Sequence, residues 1–153
     1  MTTPPPRSRR QRDDDTRHRL EHDVDVWVAT ADPAGTPYLV PLSFMWDGTH
    51  VLFATLANSA TARNLRSGGR LRLGFGPTRD VVLMDAVLEE VVPATEVPAE
   101  LGDEFAVRAE FDPRKEAGKY LYFRVRPERI QAWREADELP GRDLMRDGKW
   151  LAD

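Results

Sequence analysis

The run "PYLVPLSFMW", residues 37–46, is apolar almost without alternation, and it lies between two other β-type runs, "VDVWVATAD" and "HVLFAT". Turn chemistry separates the three, "DPAGT" on one side and "DGT" on the other. A strand wet on one face alternates, whereas a strand without alternation is covered on both. In a sheet protein of this size, that pattern predicts a barrel strand whose outer face meets a partner or a ligand. Pro41 cannot donate a ladder hydrogen bond, so it predicts an edge or a bulge inside that strand.

The later segments follow the same logic. "GRLRLGFG" sets Leu71, Leu73 and Phe75 against Arg70 and Arg72, and "DVVLMDAVLEEVV" is a long strand. "EVPAELGDEFAVRAEF" has helical spacing at Val97, Leu101 and Phe105. "KYLYFRVRPERIQAW" alternates again, and "LPGRDLMRDGKWLAD" reads as an irregular finish tied down by Leu144, Met145 and Trp150. With no βαβ alternation and no repeats, the expected fold is mainly β: a six- or seven-stranded antiparallel barrel with helical insertions. The expected organisation is a disordered tail over residues 1–17 and one domain over 18–153. The tail assignment rests on "PPP", "RSRRQR" and "DDD", which lack periodic apolar residues.

At 153 residues the chain is long enough to bury a core without staples. It has no cysteine, which excludes disulfides, thiolate metal sites and cysteine nucleophiles and fits a reducing cytoplasm. No apolar run is long enough for a membrane span, and a net charge of −4 argues against a general nucleic-acid binder. The expectation is a cytoplasmic domain with neither membrane nor nucleic acid as partner. His18 and His22 are spaced i, i+4, as on an N-terminal helix, which would suit a metal, but no third ligand is near in sequence, so no metal site is expected. His50 begins a strand and is expected to be exposed or packed. Asp85 interrupts an apolar strand and is expected to face solvent or pair with an arginine. Trp46, Tyr120 and Tyr122 suit either a dimer surface or ordinary barrel packing.

"FATLANSATARNLRSGGRLRLGFG", residues 53–76, carries the chemistry. Asn58 and Ser59 are N-cap residues and Gly68–Gly69 a C-terminal stop, which predicts a helix of about two turns. Its first N–H groups are unpaired and partly positive; Thr55, Ser59 and Thr61 add hydroxyls, and Arg63 adds a guanidinium. Such a set suits a phosphate. The same Arg63, Arg66 and Arg70 also suit the solvated face of a surface helix.

The ordered series from Trp27 to Gly76 resembles the core of the pyridoxamine 5′-phosphate oxidase-like flavin-binding split barrels. The shared order is a strand, "GTP", a strand ending "WDG", a strand ending in threonine, and a helix with "RNL". The likeness covers residues 20–135 and implies a homodimer with FMN between two barrels. Deazaflavin F420 is the alternative cofactor and haem a less favoured one. The implied activity is an oxidoreductase transferring hydride between that cofactor and a small conjugated substrate; the alternative is a non-catalytic flavin- or haem-binding protein of the same fold. Carried over by position, Pro41, Leu42 and Ser43 back the isoalloxazine ring. Thr55, Ser59, Thr61, Arg63 and Asn64 take the phosphate and ribityl end, and Trp133 stands near the ring. No catalytic side chain is implied, since the cofactor carries the electrons. The chain departs from pyridoxamine phosphate oxidases at Tyr38 and Ser43, where they are basic, and at Thr61, where the family often has lysine. The arginine–histidine pair that grips the vitamin phosphate has no counterpart around "ADELPGRDLMRDG". These departures argue against the vitamin B6 reaction itself.

Overall fold

The computed structural model describes residues 4–152, and its first element is a helix where a tail was expected. α1 (Arg9–His22) is capped by Ser8, whose hydroxyl accepts from Gln11 N–H at 3.1 Å. Its buried residues are Arg12, Thr16 and Leu20, one stripe at i, i+4 and i+8. Leu20 enters the main core, while Arg12 donates through Nη1 to the carbonyls of Ala132 (3.2 Å), Glu138 (3.0 Å) and Gly141 (3.2 Å). The basic cluster is thus used internally, since Arg7 grips Glu138 and Arg9 donates to the Asp143 carbonyl at 2.6 Å. Polar anchoring rather than an apolar stripe holds this helix down, which is why periodicity missed it. Residues 1–3 of the expected tail lie outside the described residues.

β1 (Asp25–Ala31) buries Val26, Val28 and Thr30 and leaves Asp25, Trp27 and Ala31 exposed. At the following turn the Asp32 carboxylate accepts from Ala34 and Thr36 N–H, both at 2.9 Å. β2 (Pro37–Trp46) returns antiparallel with Val28 opposite Val40. Next come β3 (Val51–Leu56), α2 (Ala60–Gly68), β4 (Arg70–Phe75) and β5 (Val81–Pro93). α3 (Ala99–Arg108), β6 (Tyr120–Trp133) and a small hairpin, β7 (Asp143–Arg146) with β8 (Lys149–Trp150), complete the order. The hairpin replaces the expected irregular finish. The strands run β3-β2-β1-β4-β5-β6, and β3 also pairs with β6, so six antiparallel strands close into a barrel. Phe53 stacks on Phe123 across that closing seam at 5.8 Å, and Phe44 meets Phe75 edge-on at 5.1 Å.

A second, smaller core lies outside the barrel, where α3 covers Met45, Leu52, Ala54 and Tyr122. Tyr122 meets Phe105 edge-on at 5.2 Å and Tyr120 packs on Phe111 at 5.6 Å, while Trp46 is buried. Of the two readings open for these three aromatics, the structure selects packing. Asp85 pairs with Arg72 at 2.6 Å. His50 meets Glu89 through Nε2 and Thr49 through Nδ1, and His22 stacks on His18 with centroids 4.1 Å apart. No helix among the described residues is long and apolar enough to cross a membrane.

Glu138 is 2 % exposed and accepts from the backbone N–H, Nε and Nη2 of Arg7 at 2.8, 3.0 and 2.7 Å. The Arg7 guanidinium outweighs the cost of burial and lowers the carboxyl to about 2. Arg146 chiefly holds Asp143 at about 2 in the same way. A carboxylate with a depressed folded value stabilises fully above its unfolded value, and that contribution disappears as pH falls through the folded one. Folding stability should therefore drop between about pH 4.5 and about pH 2. In Glu138→Gln the drop measured by urea unfolding should be visibly smaller; an unaltered acid limb would assign the linkage to other groups.

Candidate functional site

The barrel is incompletely sewn along β2. Residues 37–43 pair with β1, but β3 pairs with β2 only at Phe44, Met45 and Trp46. Among the described residues, the other edge of β2 from Pro37 to Ser43 therefore has no strand partner. The sequence explains this opening. Pro37 and Pro41 sit in that half of the strand, and each lacks an N–H.

α2 follows β3 directly and packs against β1, β2 and β3, and its Ser59 cap bonds Thr55, which lies on the part of β3 that β2 no longer pairs. Ser59 caps it by accepting from Ala62 N–H at 3.1 Å, and the Thr55 hydroxyl donates to Ser59 Oγ at 3.4 Å. Gly69 ends it with φ of +70° and returns an N–H to the Leu65 carbonyl at 2.8 Å. The Arg63 guanidinium is exposed and folds back onto the carbonyl of Asn58, one residue before the cap. No acidic residue occupies the first turn. A cation thus sits where the helix dipole is already positive, the reverse of the usual preference, an arrangement suited to an anion.

The structure distributes the remaining candidates unevenly. Thr61 is 1 % exposed and Asn64 9 %, with Asn64 Nδ2 donating to Thr30 Oγ1 at 3.1 Å, so both face the barrel in the protomer. Pro41 is exposed, Leu42 half-buried, and Ser43 donates its hydroxyl to Asp25 at 3.3 Å. Trp133 is not brought to α2. It ends β6 opposite Val81, whereas Tyr120, at the other end of β6, pairs with Leu56 just before α2. The arginines do not all converge either: Arg72 is committed to Asp85, and Arg70 lies 3.8 Å from Glu128.

The outer side of β2 belongs to a wider apolar face that includes Trp27, a residue the sequence pattern had not singled out. Trp27 is 50 % exposed and Leu39 58 %, and the registers Trp27↔Pro41, Ala29↔Leu39, Trp27↔Gly74 and Gly74↔Leu83 place them on one outer face. By the same alternation Val81 and Trp133 continue that face across β5 and β6. Trp27, Pro41, Gly74 and Asp25 border an open groove of about 570 Å³ there. The signal was available: with Val26 and Val28 inward, Trp27 has to point out.

A six-stranded barrel open along one strand, with an anion-suited helix start at the opening, defines the class. The family model "Pyridoxamine 5′-phosphate oxidase" matches residues 13–147, and the chain belongs to that family. Solved structures share the fold. One is an F420 reductase, 20% identical, covering 74% of this chain and 93% of that one with a TM-score of 0.62. Another is HutZ, the haem storage protein from Vibrio cholerae, 17% identical, covering 79% and 94% with a TM-score of 0.65. A third is HupZ from Group A Streptococcus, 19% identical, covering 84% and 95% with a TM-score of 0.58. No curated protein matches the chain.

Proposed function

We propose that the chain is a flavin-type oxidoreductase that holds FMN or the deazaflavin F420 between two copies of the barrel. The observation that carries this reading is the unpaired edge of β2 beside an α2 start that presents Arg63 and no acid. The backbone groups of Pro41 and Ser43 on the open edge suit the heteroatoms of a planar ring. The Thr55 and Ser59 hydroxyls, the first N–H groups of α2 and Arg63 suit its phosphate. When bound, such a cofactor accepts or donates hydride, so the protein need supply no acid, base or nucleophile of its own.

The chain's residues have three tasks. The β2 edge orients the ring, Arg63 and the helix start neutralise the phosphate, and the apolar face around Trp27 and Leu39 excludes water by pairing with a second copy. That pairing also explains why Trp133 lies away from its own α2, since across a two-fold axis it can serve the partner's opening. Thr61 supplies no cation in place of the family's lysine, and Arg63 takes over that charge.

A haem-storage reading has HutZ among the fold relatives behind it. A histidine-ligated haem would need an imidazole at the opening. His18 and His22 are on α1, and His50 is at the β2–β3 turn against Thr49 and Glu89. His22 does line the outer groove with Trp27 and Pro41, but its Nδ1 meets the His18 carbonyl at 2.9 Å, and the α2 start that presents Arg63 and no acid favours the flavin-type reading.

Arg63→Ala is expected to weaken FMN or F420 binding by about 1.5–3 kcal/mol, the value of a charge-assisted hydrogen bond, with thermal stability unchanged. Fluorescence titration checks this. Unchanged affinity would return Arg63 to the solvated face.

A further inference from the structure

The polar grip of α1 converges on the backbone around a single aromatic residue. Arg12, 6 % exposed, binds the carbonyl of Ala132, the residue before Trp133. Glu138 Oε1 accepts from the backbone N–H of Arg134, the residue after it, at 2.8 Å, and the Arg7 guanidinium holds Glu138 in turn. The same Arg12 Nη1 caps the carbonyls of Glu138 and Gly141, closing residues 134–141 into a loop that α1 staples shut. Arg134 and Arg19 extend the network to Asp80 at 3.3 and 3.1 Å, which ties in the β4–β5 turn.

The backbone is therefore held on both flanks of Trp133 from the N-terminal segment, by Arg12 of α1 and by Arg7 just before it, while the Trp133 side chain stays half-exposed at the end of β6. A buried arginine that satisfies three carbonyls costs desolvation, and Arg12 is lowered chiefly by that burial. Stapling a surface loop by this means fixes the backbone on both sides of one indole. We propose that Arg7, Arg12 and Glu138 are positioning residues that set Trp133 as a wall of the cofactor's ring pocket, so that α1 governs cofactor affinity without touching the cofactor. This rests on the flavin-type reading above.

The test is a thermodynamic cycle on the full-length protein, titrated with FMN and, in parallel, with F420. Glu138→Gln keeps the shape but weakens the grip of Arg7, and it should lower affinity roughly tenfold, the scale on which supporting residues act. In a Trp133→Ala background the same change should cost less than about twofold, because the residue it acts through is gone. Arg12→Lys, which keeps the charge but cannot span three carbonyls, provides the same cycle if the glutamine variant folds poorly. Equal losses in both backgrounds, or none in either, overturn the proposal while leaving the flavin-type reading standing. Wild-type protein that binds neither cofactor overturns both.

Discussion

A variant lacking residues 1–22 is expected to lose about 3–5 kcal/mol of stability, or roughly 10 °C or more in melting temperature for a chain of this length. The loss has three sources. Leu20, fully buried, leaves a hole in the main core. The carbonyls of Ala132, Glu138 and Gly141 lose the Arg12 donor they share. Glu138 remains as a buried carboxylate without Arg7, which is the costliest of the three. A disordered tail, by contrast, could be removed at no cost. Calorimetry on the truncated and intact chains separates the two outcomes, and an unchanged melting temperature would mean that α1 is not docked in solution.

The second large effect is expected at the outer face. Trp27→Glu combined with Leu39→Asp should leave the protomer folded, because both side chains are half or more exposed and touch little of the core. It should nevertheless give a monomer, since a stable dimer buries about 800 Å² per partner and tolerates unpaired charge at its centre poorly. Cofactor affinity should fall with it, by roughly a hundredfold or more, if the ring pocket needs the second copy. Sedimentation and FMN titration of the same sample test both halves. A dimer that persists would assign the contact to another surface, and a monomer that still binds tightly would mean that one chain completes the pocket alone.

The legible and illegible parts of this chain divide along physical lines. The barrel was legible because its strands alternate, as "GRLRLGFG" does in β4, and because Asp32 and Asp47 mark their turns. α2 was legible from Ser59 and Gly69, whose capping roles appear as expected. Pro41 pointed correctly to an unpaired strand edge. Only the end of α1 was legible, from the i, i+4 spacing of His18 and His22; two of its three inward positions are Arg12 and Thr16, and a search for apolar spacing passes over them. The inward faces of Thr61 and Asn64 were hidden for a related reason: polar residues on a short helix look solvated until Thr30 opposite them is known. Tyr120 and Tyr122 looked eligible for an interface because the register of α3 over β6 is a long-range fact that no local pattern carries.

The central claim is that this barrel holds a flavin-type cofactor at the β2 opening of a dimer. Native mass spectrometry of the untreated protein, followed by separate additions of FMN and F420, tests it most directly. A dimer carrying one cofactor per chain is expected, with Arg63→Ala shifting the occupancy down. A monomer, or a dimer that takes neither cofactor, would contradict it and leave the α2 arginines as a solvated face.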